Sequence, residues 1–394
     1  MKITKMETLH ADGGWRTLSF LKVTTDQGLV GWSEYNEGFG AGGVTVMIHK
    51  FAPTAQTFDP REVGHMSESL RGTTRISSGA LTHQAIAAIE NACLDIKAKA
   101  LGVPVYALFG GPFRQRLPLY WSHCGSFRVW RGEIFEKLGF EPIRSLDDIK
   151  KLGQQAVQRG FRAIKTNPVS FGGQRAFSAG LRIAPGWLDR HMTPRVMGEI
   201  EDLLTAFREG IGPNTGLMLD LNFGLRPEGY IRVAKALERF NMFWLEIDIH
   251  DPEALALIRR SSATPITSLE SIHGVRNYRP YFTNYSVDMA VVDVPWNGVW
   301  ESVRIATLAD AFEVDCAPHN FYGHLATLMS AHFCAAIPNF RIMEIEIDDV
   351  PWKDELVTVA PIIENGELIV PTTPGWGADV NEEALKKYPA KARY

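Results

Sequence analysis

The sequence predicts an α/β protein in which a (β/α) barrel follows a smaller α+β unit. Three observations predict it. From about residue 119, short apolar runs alternate with helical patterns, which implies parallel strands joined by crossover helices. Eight such runs fall within about 240 residues, close to the roughly 250 of a (β/α) barrel. Each run also ends on a polar residue, and from Asp220 onward these residues recur at intervals of 26, 24, 23, 26 and 25.

Taken in order, the chain first shows "FLKVTTDQGLVGWSEY", two strand-like runs around Asp26-Gln27-Gly28 that read as a hairpin. In "THQAIAAIENACLDIKAKALG", Ala85, Ile89, Ala92, Cys93, Ile96 and Ala100 recur at helical spacing. This predicts a helix over 82–102, capped by Thr82 and stopped at Gly102. The glycines of "PVYALFGGP" mark a boundary. The strand candidates are "LPLYWSH", "RAIKTNP", "GLMLDLNF", "FWLEIDI", "PITSLES", "MAVVDVP", "VDCAPHN" and "RIMEIEI". Between them lie helical patterns such as "IKKLGQQAVQRG", "YIRVAKALERF", "DPEALALIRRSSA" and "ESVRIATLADAF". The stretch "NPVSFGGQRAFSAGLRIAPGWLDRHM" after Lys165 exceeds an ordinary connection and is expected to lie over the barrel mouth.

The 394 residues, 45% apolar and 22% charged, have an ordinary globular composition. A net charge of -4 gives no basic footprint for nucleic acid or an anionic membrane. No apolar run approaches the ~18 residues of a membrane span, and "MKITKMETLHADGG" lacks the apolar core of a signal peptide. A cytoplasmic protein is expected. Cys93, Cys124, Cys316 and Cys334 show no CxxC spacing and are expected as buried free thiols.

The polar strand ends are Ser122/His123, Lys165/Asn167, Asp220/Asn222, Glu246/Asp248, Glu270, Asp293, His319 and Glu344. In a barrel such positions converge on the C-terminal face, where active sites lie. Asp220, Glu246 and Glu270 come from three successive strands. Three clustered carboxylates repel one another unless a cation sits between them. Hard oxygen ligands, with positions left for water or substrate, suit one Mg²⁺ per chain, with Mn²⁺ as the alternative. Metal ligation also explains Glu246 inside the apolar run "FWLEIDIH". Asp248, two residues on and on the same face of a strand, is expected beside the metal or on a substrate hydroxyl.

The ordered set "AIENACLDIKAKALGVPVYALFGG", "GFRAIKTN", "LMLDLNF", "LEID", "ITSLES", "VVDVPWNG", "CAPHN" and "IPNFRIMEIE" resembles the mandelate racemase-like branch of the enolase superfamily over nearly the whole chain. The resemblance implies an N-terminal α+β capping domain over 1–118, a (β/α)7β barrel over 119–360, and a tail, 361–394, that packs back on the cap. It implies Mg²⁺ on Asp220, Glu246 and Glu270, and removal of the proton α to a substrate carboxylate. Use of a Lys or His base with Mg²⁺ is a general property of that superfamily. The resemblance makes His319 the base and Asp293 its orienting partner. Lys165 would help neutralise the substrate carboxylate and, with the metal, keep His319 neutral. The resemblance sets Glu344 against the substrate carboxylate or enolate, where it would need to be protonated to donate.

The branch often carries Lys-x-Lys on its second strand, where this chain has Lys165-Thr166-Asn167. Asn167 cannot accept a proton, which argues against a two-base racemase. Lys-x-Asn is similar to the galactonate dehydratase type. That type has a His two residues after the first metal ligand as general acid; this chain has Asn222. His319, returning its proton in a syn elimination, or His123 would then be the acid. "LEID" departs from the more usual Leu-Glu-Glu-Pro. Trp15 and Arg16 lie in the cap loop expected to cover the substrate. The expected activity is dehydration of an aldonate-type 2R-hydroxy acid to a 2-keto-3-deoxy acid. The alternatives are a cycloisomerase or epimerase of an acid sugar or its lactone, and a non-catalytic barrel serving as a scaffold. The expected partners are a small-molecule carboxylate and, by family analogy, further copies of the chain in a homo-oligomer.

Overall fold

The computed structural model describes residues 1–38, 42–169, 171 and 192–391. The chain opens with an antiparallel sheet of β1 (Ile3–Gly13), β2 (Arg16–Thr25) and β3 (Val30–Tyr35), in that order. The predicted hairpin is β2–β3, with Gly28 in its turn at φ 77°. Strand β1 escapes a sequence reading because its middle is half-exposed and polar, with little apolar alternation.

The helix predicted over 82–102 spans Ala80–Leu101 and stops at Gly102, whose φ of 68° is left-handed. It begins earlier than predicted: Gly79 is the N-cap, and the Thr82 hydroxyl donates to the Ser77 carbonyl (3.1 Å). The helix is buried on most of its surface because it lies between the cap sheet and the barrel. A Cβ on Gly31 would collide with the Ala92 carbonyl oxygen, so only glycine lets β3 come this close.

The polar residues of this helix dock the cap. Buried Glu90 accepts from the Ser67 hydroxyl (3.1 Å) and the Trp300 amide (3.0 Å), and Asn91 accepts from the Val299 amide (2.9 Å). Those amides open the barrel helix Val299–Asp310 and have no partner within it. Asp95 accepts from the Trp32 amide (2.9 Å), the Trp376 amide (3.1 Å) and Lys99 (2.6 Å).

All eight predicted runs form strands of one parallel barrel: β4 (Arg116–Ser122), β5 (Ala163–Thr166), β6 (Gly216–Asp220), β7 (Trp244–Glu246), β8 (Ile266–Ser268), β9 (Met289–Asp293), β10 (Asp315–His319) and β11 (Met343–Glu346). Neighbours pair in chain order, and β11 returns to β4. A parallel bridge at Cys316 closes the gap between β10 and the approach to β11. Among the described residues a helix of nine or more residues stands between each pair of consecutive strands, giving (β/α)7β. Tyr120, Ala163, Met218, Trp244, Met289, Ala317 and Ile342 fill the inside, so the barrel is a packed core rather than a pore.

The tail first adds the hairpin β12 (Ile363–Glu364) and β13 (Glu367–Ile369) to the start of β4. It then returns to the cap: the buried Trp376 indole donates to the Trp32 carbonyl (2.8 Å), and the Tyr388 carbonyl accepts from the Asp12 amide (2.9 Å). The four cysteines are buried and free. Among the described residues no helix is long and apolar enough to cross a membrane. Most of the long connection expected over the barrel mouth lies outside the described residues.

Candidate active site

Strand register gathers the singled-out residues at the C-terminal ends of the barrel strands. Asp220 pairs across the sheet with Glu246, and Asp293 with His319. Glu270 lies just beyond β8, after Leu269 at φ 91°.

Lys165 is the hub. Its Nζ lies 2.9 Å from Glu246 Oε2 and 2.9 Å from Glu344 Oε1, over the Tyr120 ring. Burial alone would lower this amine, but Glu246 and Glu344 prevail and hold it well above its ordinary value. Glu344 also accepts from the Ser122 hydroxyl and from the Asn320 amide (2.6 Å). Burial pushes its carboxyl up, yet Lys165, His319 and His123 outweigh that and hold it at about 2. Glu344 is therefore an ionised acceptor. In that state it donates nothing to a substrate unless it first takes up a proton.

His319 Nδ1 lies 2.6 Å from Asp293 Oδ2, and its Nε2 lies 3.5 Å from Glu270 Oε2. Asp293 also accepts from the Tyr322 hydroxyl (2.6 Å) and the Trp296 amide (2.7 Å). Burial would lower the imidazole, but Glu270 and Asp293 raise it to about 10. Lys165, neutralised by two glutamates, does not lower His319 by itself; the expectation gave that role to the dication together with Lys165. A dication on Glu270 would cancel the largest raising influence.

The metal-ligand candidates have partners of their own. Asp220 Oδ1 accepts from the Asn222 amide and side chain (2.8 Å each), and Oδ2 accepts from Asn167 Nδ2 (3.1 Å). Asn167 Oδ1 in turn accepts from the Ser126 hydroxyl (3.0 Å). The nitrogens of both asparagines thus bond Asp220. Glu246 Oε1 and both Asp248 carboxylate oxygens are buried without a hydrogen-bond partner. Burial, then Glu270, Asp220 and Glu246, push the Asp248 carboxyl well up. Asp248 lies beyond β7, which ends at Glu246, yet it still joins the cluster.

Orphaned, buried carboxylate oxygens are what a hard cation satisfies. Among the described residues no three His, Cys, Asp or Glu side chains already converge around one point. Asp220 is turned to its asparagines, Glu246 to Lys165 and Glu270 to His319. The donor set fits a divalent cation, which Asp220, Glu246 and Glu270 would hold.

His123 follows β4 at φ 47° and places Nδ1 2.7 Å from Glu346 Oε2, its ring stacked on Phe127 at 3.9 Å. Burial, with Lys165 and His319 against Glu344, lowers it to about 4, so it is neutral at physiological pH. Trp15 is buried in an aromatic roof with Phe127, Trp296, Phe321 and Tyr322. Arg16 is buried too, bonded to Asp349 (2.6 Å) and the Tyr322 carbonyl (3.2 Å). It fastens the cap to the barrel through Nη2, while its Nε and Nη1 are buried without a hydrogen-bond partner. Sequence reading missed Tyr322, Asn320, Ser126 and Glu346. The available signal was position: Glu346 lies two residues after Glu344 and so shares its strand face.

A capped (β/α)7β barrel with carboxylates on successive strands and a His–Asp pair defines an enzyme of the enolase superfamily. The chain belongs to the mandelate racemase/muconate lactonizing enzyme family: that family's N-terminal domain model matches residues 6–110, and the enolase C-terminal domain-like model matches 148–384. It is 26% identical to D-xylonate dehydratase of Haloferax volcanii, covering 98% of this chain and 89% of that one. It is 31% identical to the D-galactonate dehydratase family member ManD of Chromohalobacter salexigens, over 79% of this chain and 76% of that one. Among solved structures it resembles a candidate L-alanine-DL-glutamate epimerase from Burkholderia xenovorans bound to magnesium and fumarate, at 43% identity and TM-score 0.95, covering 99% of this chain and 96% of that one.

Proposed function

We propose that this enzyme is a Mg²⁺-dependent hydro-lyase that dehydrates a sugar acid of the aldonate type, a 2R-hydroxy acid, to a 2-keto-3-deoxy acid. The observation that carries the reading is an asymmetry. His319, oriented by Asp293, is the group that would accept the proton on one side once a dication on Glu270 lowers it, while Asn167 on the second strand cannot take a proton and is held by Asp220 and Ser126. The dehydratase names of the curated relatives support it.

A magnesium ion on Asp220, Glu246 and Glu270 would stabilise the charge that develops on the substrate carboxylate. His319 Nε2 takes the α-proton, while its Nδ1–H stays on Asp293, which stabilises the imidazolium. His319 then returns that proton to the β-hydroxyl, which departs as water. The C–H and C–O bonds break, a carbon–carbon double bond forms, and the enol tautomerises to the keto acid. His123, held at about 4, has no proton to give at neutral pH, so His319 serves both steps. Lys165 offsets the negative charge of Glu246 and Glu344 at the floor of the site.

The epimerase description of the 43% identical structure favours a second reading. Epimerisation needs a proton acceptor on each face of the α-carbon, and Asn167 supplies none. The test is incubation of the Mg²⁺-loaded protein in D₂O with aldonates paired as C2 epimers, followed by proton NMR. Keto acid from 2R members supports dehydration. Exchange into both epimers would establish the epimerase. Neither keto acid nor α-exchange anywhere in the panel would overturn both.

A further inference from the structure

A cavity of about 320 Å³ lies in the seam between cap and barrel, beside the loop that follows β8. The cap contributes Arg71, Arg75 and His83, and the barrel contributes His273, Arg276 and Arg304. None of the residues assigned to the reaction above lines it.

The charges in this seam do not balance. Its four arginines face two lining glutamates, Glu68 and Glu301, with buried Glu90 behind them, 3.8 Å from Arg71. Arg71 binds Glu68 (3.0 Å) and lies 3.7 Å from Glu301. Arg304 binds Glu301 (2.7 Å) and lies 3.6 Å from Glu68. These four side chains account for one another. Arg75 and Arg276, exposed at the rim, have no ion-pair or hydrogen-bond partner among the described residues. Deeper in, His273 Nε2 is buried without a partner. The wall already holds one carboxylate: Glu301 accepts the Val275 amide (2.8 Å) at the start of the helix Val275–Thr283. Arg276 is the next residue of that helix, whose N-terminal end carries positive partial charge. A volume of about 320 Å³ stands at the small end of the roughly 300–1,000 Å³ of ligand pockets.

We propose that this seam pocket is a second small-molecule site, which binds a compact dianion between Arg75 and Arg276 with His273 behind it. A phosphate group and a short dicarboxylate share that chemistry, since a guanidinium fork pairs with either. The proposal does not depend on the dehydratase reading.

Calorimetric titration of the Mg²⁺-loaded protein with inorganic phosphate, and separately with succinate, tests it. Saturable binding is expected for at least one probe, and the tighter of the two identifies the ligand class. The Arg75→Ala/Arg276→Ala variant should bind that probe roughly tenfold or more weakly, as loss of charge-assisted bonds implies. Its Mg²⁺ affinity should be unchanged, which separates this pocket from an anion held at the barrel mouth. Arg75→Lys/Arg276→Lys should recover part of the binding. If the double alanine variant does not fold, the single exposed change Arg276→Gln gives the same comparison. Unchanged affinity in the variants, or no saturable binding of either probe at millimolar concentration, would overturn the proposal. So would a changed oligomeric state with unaltered anion affinity, since the rim arginines would then face a second copy.

Discussion

His319 Nδ1 lies 2.6 Å from Asp293 Oδ2, and the Tyr322 hydroxyl reaches the same oxygen at 2.6 Å. Two donors on one carboxylate oxygen fix both the tautomer and the plane of the imidazole. His319→Asn should lower turnover by ~10²–10⁴-fold or more and remove α-exchange in D₂O. Asp293→Asn should act in the same direction. Tyr322→Phe removes one bond to a charged group and should cost roughly tenfold. Steady-state rates and exchange by NMR check all three; exchange retained in the His319 variant would move the base elsewhere.

Metal binding should release protons. Glu270 and Asp293 raise His319 to about 10, so the metal-free chain carries an imidazolium beside Glu270. A dication at Glu270 competes with that charge, and its affinity should rise with pH through neutrality. Calorimetry in two buffers of different ionisation enthalpy counts the protons. EDTA should abolish turnover and Mg²⁺ restore it. Glu246→Gln should weaken Mg²⁺ binding yet leave the fold intact, because Lys165 keeps Glu344 at 2.9 Å. A pH-independent affinity would contradict the assignment of Glu270 as a ligand.

Only one face of the substrate should react. Asn167 cannot accept a proton, and its amide nitrogen is engaged with Asp220 at 3.1 Å. The 2S epimers should be neither dehydrated nor exchanged, and epimerisation at C2 should be undetectable by proton NMR. Asn167→Ala should act through Asp220, lowering Mg²⁺ affinity. Turnover confined to a 2S compound would show that another residue is the base.

Stability should fall as pH rises toward neutrality, in part through Glu90. Burial, opposed by Arg71 and assisted by Glu301, raises its carboxyl from 4.5 to about 7. Between those values the folded chain binds more protons than the unfolded one, so stability declines with rising pH and the loss is complete above about 7. At 1.36 kcal/mol per pKa unit the contribution is on the order of 3 kcal/mol. Urea unfolding from pH 5 to 8 measures the slope, which Glu90→Gln should flatten. Parallel curves for the two proteins would refute the assignment.

The barrel was legible in the sequence because parallel strands buried on both faces read as apolar runs, and their polar ends recur at one strand–helix interval. "LMLDLNF" and "CAPHN" announce both the strand and the functional residue at its end. What those residues bond to was not legible. Asn167 and Asn222 read as substrate contacts, and nothing in the sequence showed that they also bond Asp220. Nothing local reveals that Lys165 lies between Glu246 and Glu344, since that depends on strands 81 and 179 residues away in sequence (246 − 165 and 344 − 165). Arg16 illustrates the same limit: its partner Asp349 is 333 residues distant.

The docking of Glu90 and Asn91 on the helix Val299–Asp310 has a consequence for how such proteins can be rebuilt. The chain runs from Asp293 through the short helix Val294–Asn297 to Gly298, where a Cβ would strike the Glu90 carboxylate. The peptide that seats the cap is therefore the one that begins at the carboxylate aligning His319. Cap and barrel are not interchangeable modules. A chimera that grafts a foreign cap for new specificity must carry its own matching 293–301 segment, or it will misalign the histidine while leaving every barrel strand in place.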